Sequence, residues 1–355
     1  MNIIMMEQNA SIRPRFESLG FYVPEKSVTT DELISQMENK PLFDLERITK
    51  IRARRVRSET ESSYTLALAA AKRCLERSKY SALDLDIIIF CSISRYREYP
   101  EFVIEPSISL FLKNELGAKK AMNFDISNAC AGMITGAYIL YNMIIAGAVK
   151  NGMVVSGECI TPLTETAVKE ISKPIDEQFA SLTLGDAGAA YILDISPNKD
   201  EGIDFVDCLT VARFADLCFG MPSDKNPGPA MYTQAQRLHK EAIKRCPIAI
   251  EEIFRRSGVE FDPDDYDYVI PHQTSERAIT HADELLGEYF KKQMPKPLFS
   301  LHEYGNTSST THFAVLNKNL RENKIKKGDK LLLVSIASGI VFGLLSVTIG
   351  DLEGW

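Results

Sequence analysis

The sequence predicts a layered α/β protein built from two related halves. Three observations carry this. Ile87-Ile88-Ile89-Phe90-Cys91 is a continuous, β-branched apolar run with the length of a buried parallel strand. Runs of this kind alternate with helical stretches along the chain, as sheets connected by crossover helices require. The third observation is an internal repeat. Leu75 to Phe90 reads helix, Arg-Ser turn, acidic spacer, Asp and apolar strand, and Ile248 to Pro271 reads the same way. A long period of that kind points to a duplicated fold, with residues 1–195 as one half and 196–355 as the other.

In chain order, Arg15 to Val23 reads as a first strand that stops at Pro24. Thr30, ahead of Asp31-Glu32-Leu33, reads as the N-cap of a short helix. The run Ile48 to Arg55 is strongly basic. Any one arginine there suits a solvated face, whereas the cluster as a whole could hold a phosphate or an acidic carrier. Ser63 to Ser78 reads as an amphipathic helix with Leu66, Ala69, Ala70 and Leu75 on one side. A further helix runs from about Pro106 to Leu116.

Between Ala121 and Thr161 the chain reads strand, turn, helix, strand. Met122, Phe124 and Ile126 alternate with smaller or polar residues, and Ser127-Asn128 supplies turn and cap chemistry. From Ala131 to Ala148 the sequence is apolar almost all round, the mark of a buried helix. Gly185-Asp186-Ala187-Gly188-Ala189-Ala190 leads into Tyr191-Ile192-Leu193. It lacks the lysine of a phosphate loop, so close backbone packing explains its small residues better. Two apolar strands, Lys330 to Ile336 and Val341 to Val347, end the chain around Ala337-Ser338-Gly339.

Composition narrows the function. The 355 residues suffice for one large or two ordinary domains. An apolar content of 45% and a charged content of 25% are those of a soluble globular protein. The net charge of −7 argues against nucleic acid as a partner. Tyr138, Tyr141 and Asn142 interrupt the apolar run around Ile144, so no membrane span is expected, and MNIIMMEQNA does not read as a signal peptide. The seven cysteines are Cys74, Cys91, Cys130, Cys159, Cys208, Cys218 and Cys246. Odd in number and without a CxxC pair, they fit reduced thiols in a cytoplasm. None of the five histidines stands at metal-ligand spacing, so no metal is expected.

Three residues suggest chemistry. Cys130 falls where the central helix begins, and the positive end of a helix dipole favours a thiolate. A lone cysteine is more often a small buried hydrophobe, so its partners matter. His272 directly follows a strand, in PHQTSER, and active-site groups gather at the carboxyl ends of parallel strands. Asn306 lies in the turn-rich YGNTSST.

DISNACAGM, IPHQTSERA, EYGNTSS and LGDAGAA together resemble the motifs of ketoacyl-ACP synthase III, and IRARR resembles that family's N-terminal basic signature. The match runs nearly the whole length in the family's order. The resemblance implies a thiolase-like five-layered αβαβα fold of two pseudo-symmetric halves, assembled as a homodimer. It implies Cys130 as the nucleophile that takes an acyl group, with His272 and Asn306 completing a triad. It implies an oxyanion hole from the Cys130 N–H and the Ser338–Gly339 turn. Arg52, Ser275 and Arg277 would meet the substrate or its carrier. No cofactor would be bound permanently. Coenzyme A or phosphopantetheine thioesters would be substrates, and acyl carrier protein or acyl-CoA the partners.

The implied reaction is acyl transfer to Cys130 followed by decarboxylative Claisen condensation with a malonyl-type thioester, giving a β-ketoacyl product in fatty acid or polyketide biosynthesis. The alternatives are a non-decarboxylative acyltransferase and a chain-joining ketosynthase of natural-product biosynthesis. A Cys-His-Asn hydrolase uses the same residue types. Ser275 stands where the family has asparagine, Ala337-Ser338-Gly339 is bulkier than the family's glycine-rich loop, and the only tryptophan is Trp355.

Overall fold

The computed structural model describes residues 12–173 and 175–354. The leader reading at residues 1–10 and the reading of Trp355 lie outside the described residues. Ten strands form two five-stranded sheets. The first sheet uses β1 (Pro14–Tyr22), β2 (Ile87–Phe90), β3 (Met122–Asp125), β4 (Gly152–Glu158) and β5 (Ala187–Ile195), in the spatial order β1-β5-β4-β2-β3. The second uses β6 (Gly202–Thr210), β7 (Tyr268–Pro271), β8 (Lys296–Pro297), β9 (Lys330–Ala337) and β10 (Val341–Thr348), in the order β6-β10-β9-β7-β8.

In each sheet the first two pairings are antiparallel and the last two parallel. The sheets therefore match strand for strand. β2 and β7, the strands of the sequence repeat, hold the same place in each.

Helices fill three layers around the sheets. On one outside face lie α1 (Ser63–Arg77) and α2 (Ile108–Leu116). Between the sheets lie α3 (Gly132–Ile145) and α6 (Thr311–Arg321). On the other outside face lie α4 (Ala235–Arg256) and α5 (Glu276–Phe290). Strand alternation explains the layering. Ile87 and Ile89 point to the middle layer, against Met133, Leu140 and Phe313. Ile88 and Phe90 point outward, against Ala67, Ala70 and Leu112. A strand buried on both faces must be apolar at every position, as β2 is.

Three details differ from the sequence reading. The first short helix is capped by Thr29, not Thr30. Thr29 Oγ1 accepts from the Glu32 N–H at 3.1 Å, and the Glu32 carboxylate accepts from the Thr29 N–H at 2.7 Å. A capping box needs its acid three residues on, which selects Thr29. On α1 the residues packed against the sheet are Ala67, Ala70, Ala71 and Cys74, with Leu75 only partly buried. Finally, α3 is not buried all round, since Tyr138 is 40% exposed.

Small residues on strands let α1 lie directly on the sheet backbone. A Cβ on Gly157 would stand 1.9 Å from the Ser63 carbonyl oxygen, and one on Gly188 would stand 2.1 Å from that of Leu66. Gly188 belongs to LGDAGAA, so close backbone approach accounts for that part of the motif. Gly157→Ala should force α1 off the sheet and cost about 1–3 kcal/mol or more. Urea unfolding measures this, and an unchanged midpoint would contradict the packing described.

Candidate active site

Each candidate residue stands at the end of a strand or on a short turn. After β3 the chain passes through a 3-10 turn, Ala129–Ala131, before α3 starts. Ala129 has φ of 45°, an uncommon left-handed conformation for a residue with a side chain. This turn presents Cys130. Gly132 permits the entry, because a Cβ there would lie 2.5 Å from the Cys91 carbonyl oxygen at the end of β2. The second half of the chain closes on the cysteine. Ser335 Oγ donates to the Cys130 carbonyl at 3.3 Å, and Ser308 Oγ lies 3.7 Å from Cys130 Sγ.

Burial dominates the thiol's chemistry. It pushes the Cys130 thiol up to about 12, against a smaller lowering by the Ser308 hydroxyl. The resting side chain is therefore a thiol, and the thiolate expected from the helix start is not its resting form.

His272 follows β7, and its N–H donates to the Val334 carbonyl at 2.9 Å. Burial, with a smaller contribution from His312, pulls its imidazole down to about 3, so the ring is neutral. The adjacent Gln273 is a clamp. Its amide donates to the Pro271 and Leu298 carbonyls, and its oxygen accepts from the Ser300 and Leu301 N–H groups. Asn306 follows Gly305, whose φ is 67°. The Asn306 backbone exchanges bonds with Thr183 and Gly185. Its Oδ1 accepts from the Ser308 N–H at 2.9 Å, which leaves the amide hydrogens as its free donors.

Two buried carboxylates organise these turns. Glu158 ends β4 and accepts from Ser92 Oγ at 2.9 Å, from the Ile93 and Ser309 N–H groups, and from Ser309 Oγ. Burial pushes it up to about 7. Asp186, of LGDAGAA, accepts from the Ile160, Thr161 and Arg57 N–H groups. Burial pushes it up to about 6.

Cys130, His272 and Asn306 all line one cavity of about 1890 Å³. Ser275, Arg277 and Ser338 also line it, whereas Arg52 and Gly339 do not. Ser275 is the N-cap of α5, its side chain accepting from the Ala278 N–H. Ser338 Oγ donates to the Cys218 carbonyl at 3.1 Å, beside Ala337, which packs with Cys130. Arg52 is exposed, and Arg54 is 1% exposed, its guanidinium donating to Thr30 Oγ1 and the Leu182 carbonyl. Lys50 of the basic run lines the cavity, as does Arg47, one residue ahead of the run.

Comparison with known proteins gives the same outline. The model of 3-oxoacyl-(acyl-carrier-protein) synthase III matches residues 124–211, and that of the family's C-terminal part matches residues 257–349. The chain belongs to the 3-oxoacyl-ACP synthase III family. It is a condensing acyltransferase of that type. The synthase III of Listeria welshimeri is 27% identical over 94% of this chain and 97% of its own. That of Clostridium beijerinckii is 28% identical over 92% and 97%. In three dimensions the chain resembles the synthase III of Aquifex aeolicus, with a TM-score of 0.78, 24% identity, and coverage of 95% of this chain and 100% of that one. It also resembles Xanthomonas campestris OleA, with a TM-score of 0.81, 22% identity, and coverage of 96% and 99%. These neighbours share the thiolase-type five-layered fold.

In this family member the residues missed from sequence are mostly those behind the site. The signal for Glu158 was an acid ending a strand with no other charge, MVVSGE. Ser308 follows Asn306 by two residues in a run of hydroxyls that gave no reason to single it out. Lys50 belongs to the basic run but was not separated from Arg52, and Arg47 lies one residue ahead of the run.

Glu158 yields a stability test. Its folded-state value, about 7, lies above the ordinary carboxylate range. Its contribution to stability is thus complete below the unfolded value and lost as pH rises through about 7. Glu158→Gln lacks this titration. From about pH 5 to 8 its urea midpoint should fall less than that of the unsubstituted chain. Parallel curves would contradict the assignment.

Proposed function

We propose that the enzyme takes an acyl group from a coenzyme A or carrier-protein thioester onto Cys130, then condenses it with a malonyl-type thioester to a β-ketoacyl product. The observation that carries this is the shared cavity of Cys130, His272 and Asn306. In the loading step Cys130 Sγ bonds to the acyl carbon and the donor C–S bond breaks. The proton leaving Cys130 ends on the departing thiol. Ser308 and the start of α3 face the sulfur as charge builds on it.

In the second step the malonyl group loses CO2 and becomes an enolate. His272 Nε2 and the Asn306 amide donate to its oxygen. The enolate carbon attacks the acyl-Cys carbonyl, the C–S bond to Cys130 breaks, and the departing thiolate takes a proton from solvent water to restore the thiol. The Cys130 N–H and a backbone N–H of the Ala337–Gly339 turn supply the donors for that carbonyl.

Arg47, Lys50 and Arg277 on the cavity wall support recognition of a phosphopantetheine phosphate or an acidic carrier. All seven cysteines are unpaired, which supports action in a reducing cytoplasm. Exposed Met122 on the open edge strand β3, with exposed Phe102 and Ile104, supports a homodimer. Residues 1–195 and 196–355 are proposed as the two halves, the first supplying Cys130 and the second His272 and Asn306.

The cavity volume favours a second reading, the joining of long chains. About 1890 Å³ exceeds the roughly 300–1,000 Å³ of an ordinary small-molecule pocket. Its walls include Ile160, Leu163 and Leu184 on one side, and Cys246, Ile250 and Leu332 on another.

Intact-protein mass spectrometry with carboxyl-labelled malonyl-thioester separates the readings. Cys130→Ser should abolish acyl loading. His272→Ala and Asn306→Ala should still load, and should lose CO2 release by about 100- to 1000-fold. A loaded enzyme that transfers its acyl group yet releases no label would overturn decarboxylative condensation.

A further inference from the structure

A second histidine is built in behind His272. His312 lies in the first turn of α6, in the layer between the sheets, and is fully buried. The Val334 carbonyl in β9 accepts from two groups, the His272 backbone N–H at 2.9 Å and His312 Nε2 at 3.1 Å. The two ring centroids are 6.0 Å apart, with the planes inclined by 32°.

The proton inventory of the pair is constrained. A carbonyl only accepts, so His312 Nε2 must carry a hydrogen. Burial pulls His312 down to about 4, so the ring holds one proton and its Nδ1 is bare. That Nδ1 is sealed from solvent and has no protein partner among the described residues. His272 Nδ1 is in the same position, whereas its Nε2 is the nitrogen left open to the cavity. Two buried polar atoms of neighbouring rings thus lack a partner at once, which folded proteins avoid.

We propose that His312 is a positioning residue for His272: one water, donating a hydrogen to each Nδ1, links the two rings and fixes His272 with its proton on Nε2. A water has two hydrogens, and two bare Nδ1 atoms use both. In the other tautomer, His272 Nδ1–H would donate to the water, and one water hydrogen would be left buried without an acceptor. That arrangement is disfavoured, because a buried donor without an acceptor has lost its hydration and gained nothing for it. The shared Val334 carbonyl holds the backbone of one histidine and the ring of the other in register. The consequence is a donor, not an acceptor, at the nitrogen that faces the substrate. This inference rests on the reading of His272 as an oxyanion donor.

The experiment uses the full chain labelled with 15N-histidine, and long-range proton–nitrogen NMR reads which ring nitrogen is protonated. His272 and His312 should each carry their proton on Nε2 in the unsubstituted protein. His312→Leu should leave acyl loading at Cys130 unchanged and spread His272 over both tautomers. It should slow CO2 release by about 10- to 100-fold. His312→Asn, whose side-chain oxygen can take the place of Nδ1, should recover most of that loss. A proton on Nδ1 of His272 in the unsubstituted protein would overturn the proposal, as would full-speed CO2 release by His312→Leu. If His312→Leu fails to fold, the unsubstituted spectrum still decides. If the unsubstituted enzyme releases no CO2, the condensation reading fails, and the tautomer is still read.

Discussion

The site depends on one buried carboxylate. Glu158 accepts from Ser92 and Ile93, which follow β2, and from Ser309, which follows Asn306. One side chain thereby joins the end of β4, the end of β2 and the turn that carries the asparagine. Ser309 also bonds Ser156 at 2.8 Å, so the Asn306 turn is held twice against the first sheet. Each buried donor left without Glu158 would cost about 1–3 kcal/mol. No substrate is needed to assemble this frame. It holds Cys130 from the first half and Asn306 from the second at a common cavity before any acyl group arrives.

The duplicated topology explains why the chemistry falls at this place. β3 and β7 each run parallel to their neighbours, and the segments after them carry Cys130 and His272. Carboxyl ends of parallel strands collect reactive groups because the chain leaves the sheet there in loops. The central layer then brings the two halves face to face. α3 begins just after Cys130, and α6 begins just after the Asn306 turn, so both helices of that layer start at the site. His312, one residue into α6, is the further product of this geometry. A helix that starts at the candidate site places its first turn behind the His272 ring.

Much of this was legible in the sequence, for identifiable reasons. β2 announced itself because a strand covered on both faces can hold only apolar residues. The repeat of Leu75 to Phe90 in Ile248 to Pro271 located two strands that occupy equivalent places. Cys130, His272 and Asn306 could be singled out because each sits in a turn next to a strong periodic element. What depends on long-range contact was not legible. Thr29 and Thr30 are chemically alike, and only the three-residue reach to Glu32 separates them. Among Arg47, Lys50, Arg52 and Arg54, charge alone could not separate the cations that reach the cavity from those that are buried or exposed. Burial raises the Cys130 thiol more than the Ser308 hydroxyl lowers it, and the groups that cover it come from segments as distant as Ser308 and Ala337. His312 reads in SSTTHF as one more polar residue at a helix start.

The central claim is that acyl transfer occurs at Cys130 and at no other thiol. The cavity tests this severely, because Cys159, Cys218 and Cys246 also line it. The most direct measurement is a crystal structure of the protein after reaction with a long-chain acyl thioester. Continuous density from Cys130 Sγ into the apolar part of the cavity, with the acyl carbonyl directed at the Cys130 N–H, is the expected result. An acyl group on one of the other three cysteines, with Cys130 free, would contradict the account.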